Sequence, residues 1–151
     1  MTLSSGWHPF LVHFPIALTL TAALLFVIAR LVKGAYWSAT LSTVATVNIC
    51  LAAVAVLLAI VSGVAAVVDL HVDELARQAI SAHVKWAVFT SVALLLLAVW
   101  RGAGSAPAAR PSALFLVILL VASLAIYRTG SLGLQNVFEH GVGLDPATLK
   151  K

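Results

Sequence analysis

The sequence predicts an all-α integral membrane protein: a four-helix bundle of up-down topology with both termini on the same side. Composition is the first observation behind this. The chain of 151 residues is 62% hydrophobic and 9% charged, with mean hydropathy +1.10, whereas a soluble domain is roughly half apolar and a quarter charged. The second is the grouping of apolar residues into four long runs, Phe10–Val32, Leu41–Val68, Ala79–Trp100 and Ser112–Tyr127. A helix rises ~1.5 Å per residue, so about 20 apolar residues cross the ~30 Å hydrocarbon core of a bilayer. The third is that short polar or charged turns separate the runs. A single domain, 1–151, is expected, with helices near 9–33, 41–69, 74–101 and 111–130 and a tail, 131–151, folded over one end of the bundle.

In the first span Pro9 is placed at the helix start, where proline is tolerated. Pro15 lies further in. It leaves the carbonyl of Leu11 without its helical donor, which predicts a kink. Arg30 and Lys33 close the span, and Gly34–Ser38 reads as a turn carrying two interfacial aromatics, Tyr36 and Trp37. Nothing at the start resembles a cleavable signal peptide, because the run is too long and lacks a basic lead.

The second span carries Ser42, Thr43, Thr46 and Asn48 near its start and Ser62-Gly63 near its end. Small and hydroxylated residues there suit close helix contact. Asp69 and His71 close it, and Asp73-Glu74 begins the third span with acids at a helix N-terminus. Arg101–Pro107 reads as a flexible loop. Pro111 opens the fourth span, which Gly130 and Gly133 are expected to break.

Composition also excludes function classes. The pI of about 9.7 comes from dispersed cations, and without a basic stripe there is no nucleic-acid surface. The single cysteine, Cys50, excludes an intramolecular disulfide and any Cys-based cluster. No phosphate-cradling glycine loop or nucleophile elbow occurs. No span carries a polar stripe through its middle, so a channel has no support.

All five histidines fall at one end of such a bundle: His8 and His13 at the start of the first span, His71 at the end of the second, His83 at the start of the third and His140 after the fourth. Ionisable groups in membrane spans are costly and face the bundle interior at sites. Two imidazoles from separate helices would supply both axial ligands of a haem iron, with a flat macrocycle between apolar helices. His13 and His83 are the first-choice pair, and His8 and His140 the second choices. Arg128 and Lys85 lie at the level of the propionates. The rival is a nitrogen-rich copper, zinc or iron site built on His8, His13, His83 and His140 with Asp69 or Glu139. A third reading is an accessory or assembly subunit with structural histidines.

Charge places the chain in the bilayer. The loops away from the histidines hold Arg30, Lys33, Arg101 and Arg110 and no acid, against Arg77, Lys85 and Arg128 near the membrane on the other side, which holds all five acids. The positive-inside rule then puts both termini and the histidines outside, at the periplasmic face of a bacterial inner membrane.

The opening His8-Pro9-Phe10-Leu11-Val12-His13-Phe14-Pro15-Ile16-Ala17-Leu18 resembles the signature of a family of small bacterial membrane proteins, domain of unknown function 2231. Three further places are similar: the glycine-to-aspartate spacing from Gly63 to Asp69, the histidine His83 opening the third span, and a glycine-rich close from Gly130 to Leu144. Leu134 departs from the family, which often has a second consecutive glycine after Gly133. The resemblance implies a four-helix membrane bundle. Relatives fused to, or encoded near, Rieske-type or cytochrome c domains imply respiratory electron transfer, which favours haem b over a bare metal and a cytochrome c or Rieske protein as redox partner. A homo-oligomer, or a place as subunit of a larger complex, is open.

Overall fold

The computed structural model describes residues 3–68, 74–104 and 106–143. Its elements are α1 (Leu3–Leu11), α2 (His13–Leu31), α3 (Ala35–Val68), α4 (Glu74–Gly104) and α5 (Ala113–Phe138). Helices α1 and α2 are one membrane span divided at Val12. Four stretches are long and apolar enough to cross a bilayer: Trp7–Leu31, Ala35–Val68, Glu74–Ala103 and Ala113–Phe138. The chain is therefore an all-α four-helix bundle, as the apolar runs predict.

The packing order is circular. Helix α2 packs on α3, α3 on α4, α4 on α5, and α5 back on α2, while α1 lies against α3 and α2. The first span and α4 are thus diagonal across the bundle, as are α3 and α5. Alanines line the centre, with Ala22, Ala23, Ala45 and Ala122 beside Ile49, Leu94, Leu97 and Leu119. Small side chains let the backbones approach, which is the main attraction available where lipid is as apolar as the core.

The division at Val12 follows from Pro15, which has no N–H to give Leu11. The helical bonds of Val12 continue on both sides, Val12 N–H to His8 at 3.1 Å and Ile16 N–H to Val12 at a stretched 3.5 Å. Other boundaries differ from expectation. Helix α1 begins at Leu3, so Pro9 lies inside it and His8 is a helical residue. Helix α3 begins at Ala35, and Tyr36 and Trp37 belong to its first turn. No breaker separates them from the apolar run, and Ser38 Oγ donates to the carbonyl of Ala29 (2.8 Å), which holds the short turn closed.

Gly130 and Gly133 do not break the last helix, which runs on to Phe138. Gly133 faces its neighbour closely, since a Cβ there would stand 3.2 Å from His83 Cε1, whereas one on Gly130 would stand at an ordinary 3.6 Å from Ile16 Cδ1. Gly133 serves helix contact, and that packing offsets the roughly 1 kcal/mol a glycine costs in a helix. The stop comes at Gly141, whose φ of 63° is left-handed. Its N–H bonds Val137 at 3.1 Å, the αL arrangement of a helix C-terminus. The tail therefore does not fold back from residue 131. Its last part, 144–151, lies outside the described residues.

The far end of the bundle is stitched rather than loose. Helix α4 continues to Gly104, and the Arg101 side chain turns inward, 3% exposed. Its Nη2 donates to the carbonyls of Pro107 and Ala109, both at 3.0 Å, and to Thr46 Oγ1 at 3.2 Å. The guanidinium carbon lies 4.9 Å and 5.6 Å from the ring centres of Phe26 and Phe115. Arg110 ties the same loop to the other connection through Ser38 Oγ (3.0 Å) and the Val32 carbonyl (2.8 Å). Ser112 Oγ accepts the N–H of Phe115 (3.1 Å) and caps α5.

Candidate functional site

The histidine end is formed by the start of the first span, the end of α3, the start of α4 and the end of α5. His8 and His83 sit on the diagonal helices at this end, both half-buried.

Each ring is held by two features of the neighbouring helix. His8 Nδ1 lies 3.0 Å from Ser62 Oγ. That hydroxyl donates its own proton to the Ala59 carbonyl (3.0 Å), so it accepts from His8. With the hydroxyl proton engaged, a neutral His8 ring donates from Nδ1. The ring rests on Gly63, where a Cβ would stand 2.9 Å from His8 Cε1. His83 repeats the arrangement on α5. Its Nδ1 lies 3.0 Å from the carbonyl of Thr129, which can only accept, so a neutral His83 ring also donates from Nδ1. The ring edge rests on Gly133. Thr129 is steadied by its own bond to Ala125 (2.9 Å), and Thr90 Oγ1 donates to it at 3.0 Å.

Both imidazoles thus have Nδ1 within hydrogen-bond distance of a neighbouring helix, and His8 also meets the Ala59 carbonyl of that helix. That is how protein-bound metals hold their histidines: the second nitrogen is anchored, which sets tautomer and ring orientation. Among the described residues no three His, Cys, Asp or Glu side chains gather as a metal cluster. The donor set is two imidazoles.

The other expected residues lie elsewhere. His13 is exposed, and its Nδ1 bonds the Pro9 carbonyl of its own span rather than reaching toward His83. His8 and His13 are five residues apart, about 140° around a helix, so one inward-facing ring turns the other outward. His8, not His13, is the histidine of this span held against a neighbouring helix. His140 is exposed in the turn that ends α5, so it is not folded over the pair. Arg128 and Lys85 are exposed beside the site. Glu139 is exposed too, while Asp69 and His71 lie outside the described residues.

Sequence reasoning ranked His8 behind His13 and left out Ser62, Thr129 and the two glycines as partners. The legible signal was the lone glycine inside the second apolar run, Gly63, which marks a close approach.

A bundle of this kind defines a class, a small polytopic membrane protein. Residues 5–146 match the family of predicted membrane proteins called domain of unknown function 2231, and the chain belongs to that family. Searches of curated proteins and of solved structures gave no match.

Proposed function

We propose that the protein is a membrane-embedded electron-transfer module that holds a b-type haem between His8 and His83. The observation that carries this reading is the matched pair of imidazoles on diagonal helices, each with Nδ1 anchored to the helix beside it. A haem needs only two protein donors, since the macrocycle supplies the other four nitrogens. A bare zinc or copper ion takes three or four ligands from the protein, and two imidazoles fall short of that. The glycines at 63 and 133 keep the rings from being pushed aside. Arg128 and Lys85 are the cations available to the propionates. The bound iron would supply one-electron transfer, and burial and the anchoring of Nδ1 would tune its potential. On this reading the module lies in a bacterial inner membrane with its histidine end toward the periplasm, where a cytochrome c or Rieske protein would exchange electrons with it.

A second reading, an accessory subunit of a larger membrane complex, has one observation of its own. Only 22–28% of the most apolar window of each span is buried inside the bundle, so every helix offers a long apolar face to lipid or to another subunit.

The test is the visible spectrum of protein purified from a haem-supplied host. A Soret band with sharp α and β bands on dithionite reduction is expected. His8→Ala and His83→Ala should lose it, and His13→Ala should keep it. A colourless wild-type protein, or haem retained in both His8→Ala and His83→Ala, overturns the reading.

A further inference from the structure

His13 is the histidine that the paired site leaves over, and its surroundings have a chemistry of their own. An open groove on the outside of the bundle is lined by Pro9, Phe10, His13, Phe14 and Ala17. Phe10 and Phe14 meet edge to face, their ring centres 5.4 Å apart, and Trp7 continues the row against Phe10 at 6.3 Å. His13 Nδ1 is bound to the Pro9 carbonyl, which only accepts. The proton is therefore on Nδ1, and Nε2 is an acceptor with no partner among the described residues.

Depth makes this acceptor unusual. Tryptophan marks the membrane interface, and His13 lies about 9 Å along the helix beyond Trp7, toward the bilayer centre. An imidazole exposed there faces the apolar layer, where a polar atom without a partner is costly. An acyl chain has no donor to offer it. A ligand that satisfies the groove must reach it through lipid, present a flat ring to Phe10 and Phe14, and carry a hydroxyl that donates.

We propose that this groove binds the reduced ring of a lipid-borne quinol, with one ring hydroxyl donating to His13 Nε2 and the isoprenoid tail remaining in the bilayer. The fixed tautomer makes the site selective for redox state. A quinol donates to the lone pair, whereas the oxidised quinone has only carbonyl acceptors to set against it. This binding does not depend on haem at the paired histidines.

The test uses the full chain, with 15N-labelled histidine, in phosphatidylcholine nanodiscs titrated with decylubiquinol. The His13 Nε2 signal, assigned by its loss in His13→Leu, should shift saturably. Decylubiquinone should bind about fivefold more weakly, the factor a net hydrogen bond is worth. Ala17→Phe, one helical turn from His13, fills the groove and should abolish the quinol-induced shift in protein whose circular dichroism is unchanged. A shift that only tracks the quinol dissolved in the bilayer, equal binding of the two redox forms, or an undiminished response in Ala17→Phe overturns the proposal. The readout is a histidine nitrogen rather than a haem band, so it stands or falls apart from the electron-transfer reading.

Discussion

The imidazole of His8 rests on Gly63 so closely that a Cβ there would stand 2.9 Å from its Cε1. Real Cβ contacts are not that short, so Gly63→Ala must move the ring. The same change at Gly133 meets His83 at 3.2 Å, which a small adjustment can absorb. Gly63→Ala is therefore expected to disturb the site more than Gly133→Ala. The check is the 15N shift of His8 Nδ1 in Gly63→Ala and of His83 Nδ1 in Gly133→Ala, with haem content as a second readout. Equal perturbation at both positions would show that the ring contact does not govern the site.

Ser62 links a helix backbone to a histidine. Its hydroxyl donates to Ala59 and accepts from His8. Ser62→Ala removes that acceptor and leaves His8 the Ala59 carbonyl, and a lost hydrogen bond of this kind costs about 0.5–1.5 kcal/mol. We expect lower thermal stability in detergent and a mixture of His8 tautomers in the imidazole 15N spectrum. Ser62→Thr keeps the oxygen and should retain the single tautomer.

The bundle was legible in the sequence because its cause is compositional: runs of about 20 apolar residues have few other homes. That His8, His13, His83 and His140 lie at one end was legible for the same reason, since it follows from counting spans. What was not legible depends on rotation about a helix axis. Whether His8 or His13 faces inward is decided by where the first helix begins, and α1 starts six residues before Pro9. The reading of Gly130 and Gly133 as breakers used local propensity alone. Contact with Ile16 and His83, more than a hundred and about fifty residues away in sequence, overrides it. Arg101 was counted as a loop cation because nothing local shows that Thr46, Pro107 and Ala109 converge on it.

Gly141 ends α5 in a left-handed conformation, with φ 63°. A side chain there costs about 1–2 kcal/mol. Gly141→Ala should fray the last turn, where Gly141 and Val142 bond Val137 and Asn136 at 3.1 and 2.9 Å. Amide exchange at Gly141 and Val142 should accelerate, while exchange in α4 stays unchanged. Because His140 is exposed, haem content should not respond.

Arg101 gives the sharpest stability prediction. Its guanidinium is buried without a carboxylate beside it among the described residues; three oxygens and two aromatic faces compensate it instead. Arg101→Leu leaves the Pro107 and Ala109 carbonyls without this donor and releases the loop they belong to. Hydrogen bonds to a charged group are worth about 1.5–3 kcal/mol each, but two helices and a loop relax together, so the expected loss is about 2–4 kcal/mol. Arg101→Lys should recover little of it. An ammonium is a compact point charge, whereas the planar fork reaches Thr46 with Nε and Nη2 while its face meets Phe26. The measurement is SDS-driven unfolding in mixed micelles, followed by helical circular dichroism. Wild-type stability in Arg101→Lys would mean that charge alone closes this end of the bundle, and that the fork geometry contributes nothing.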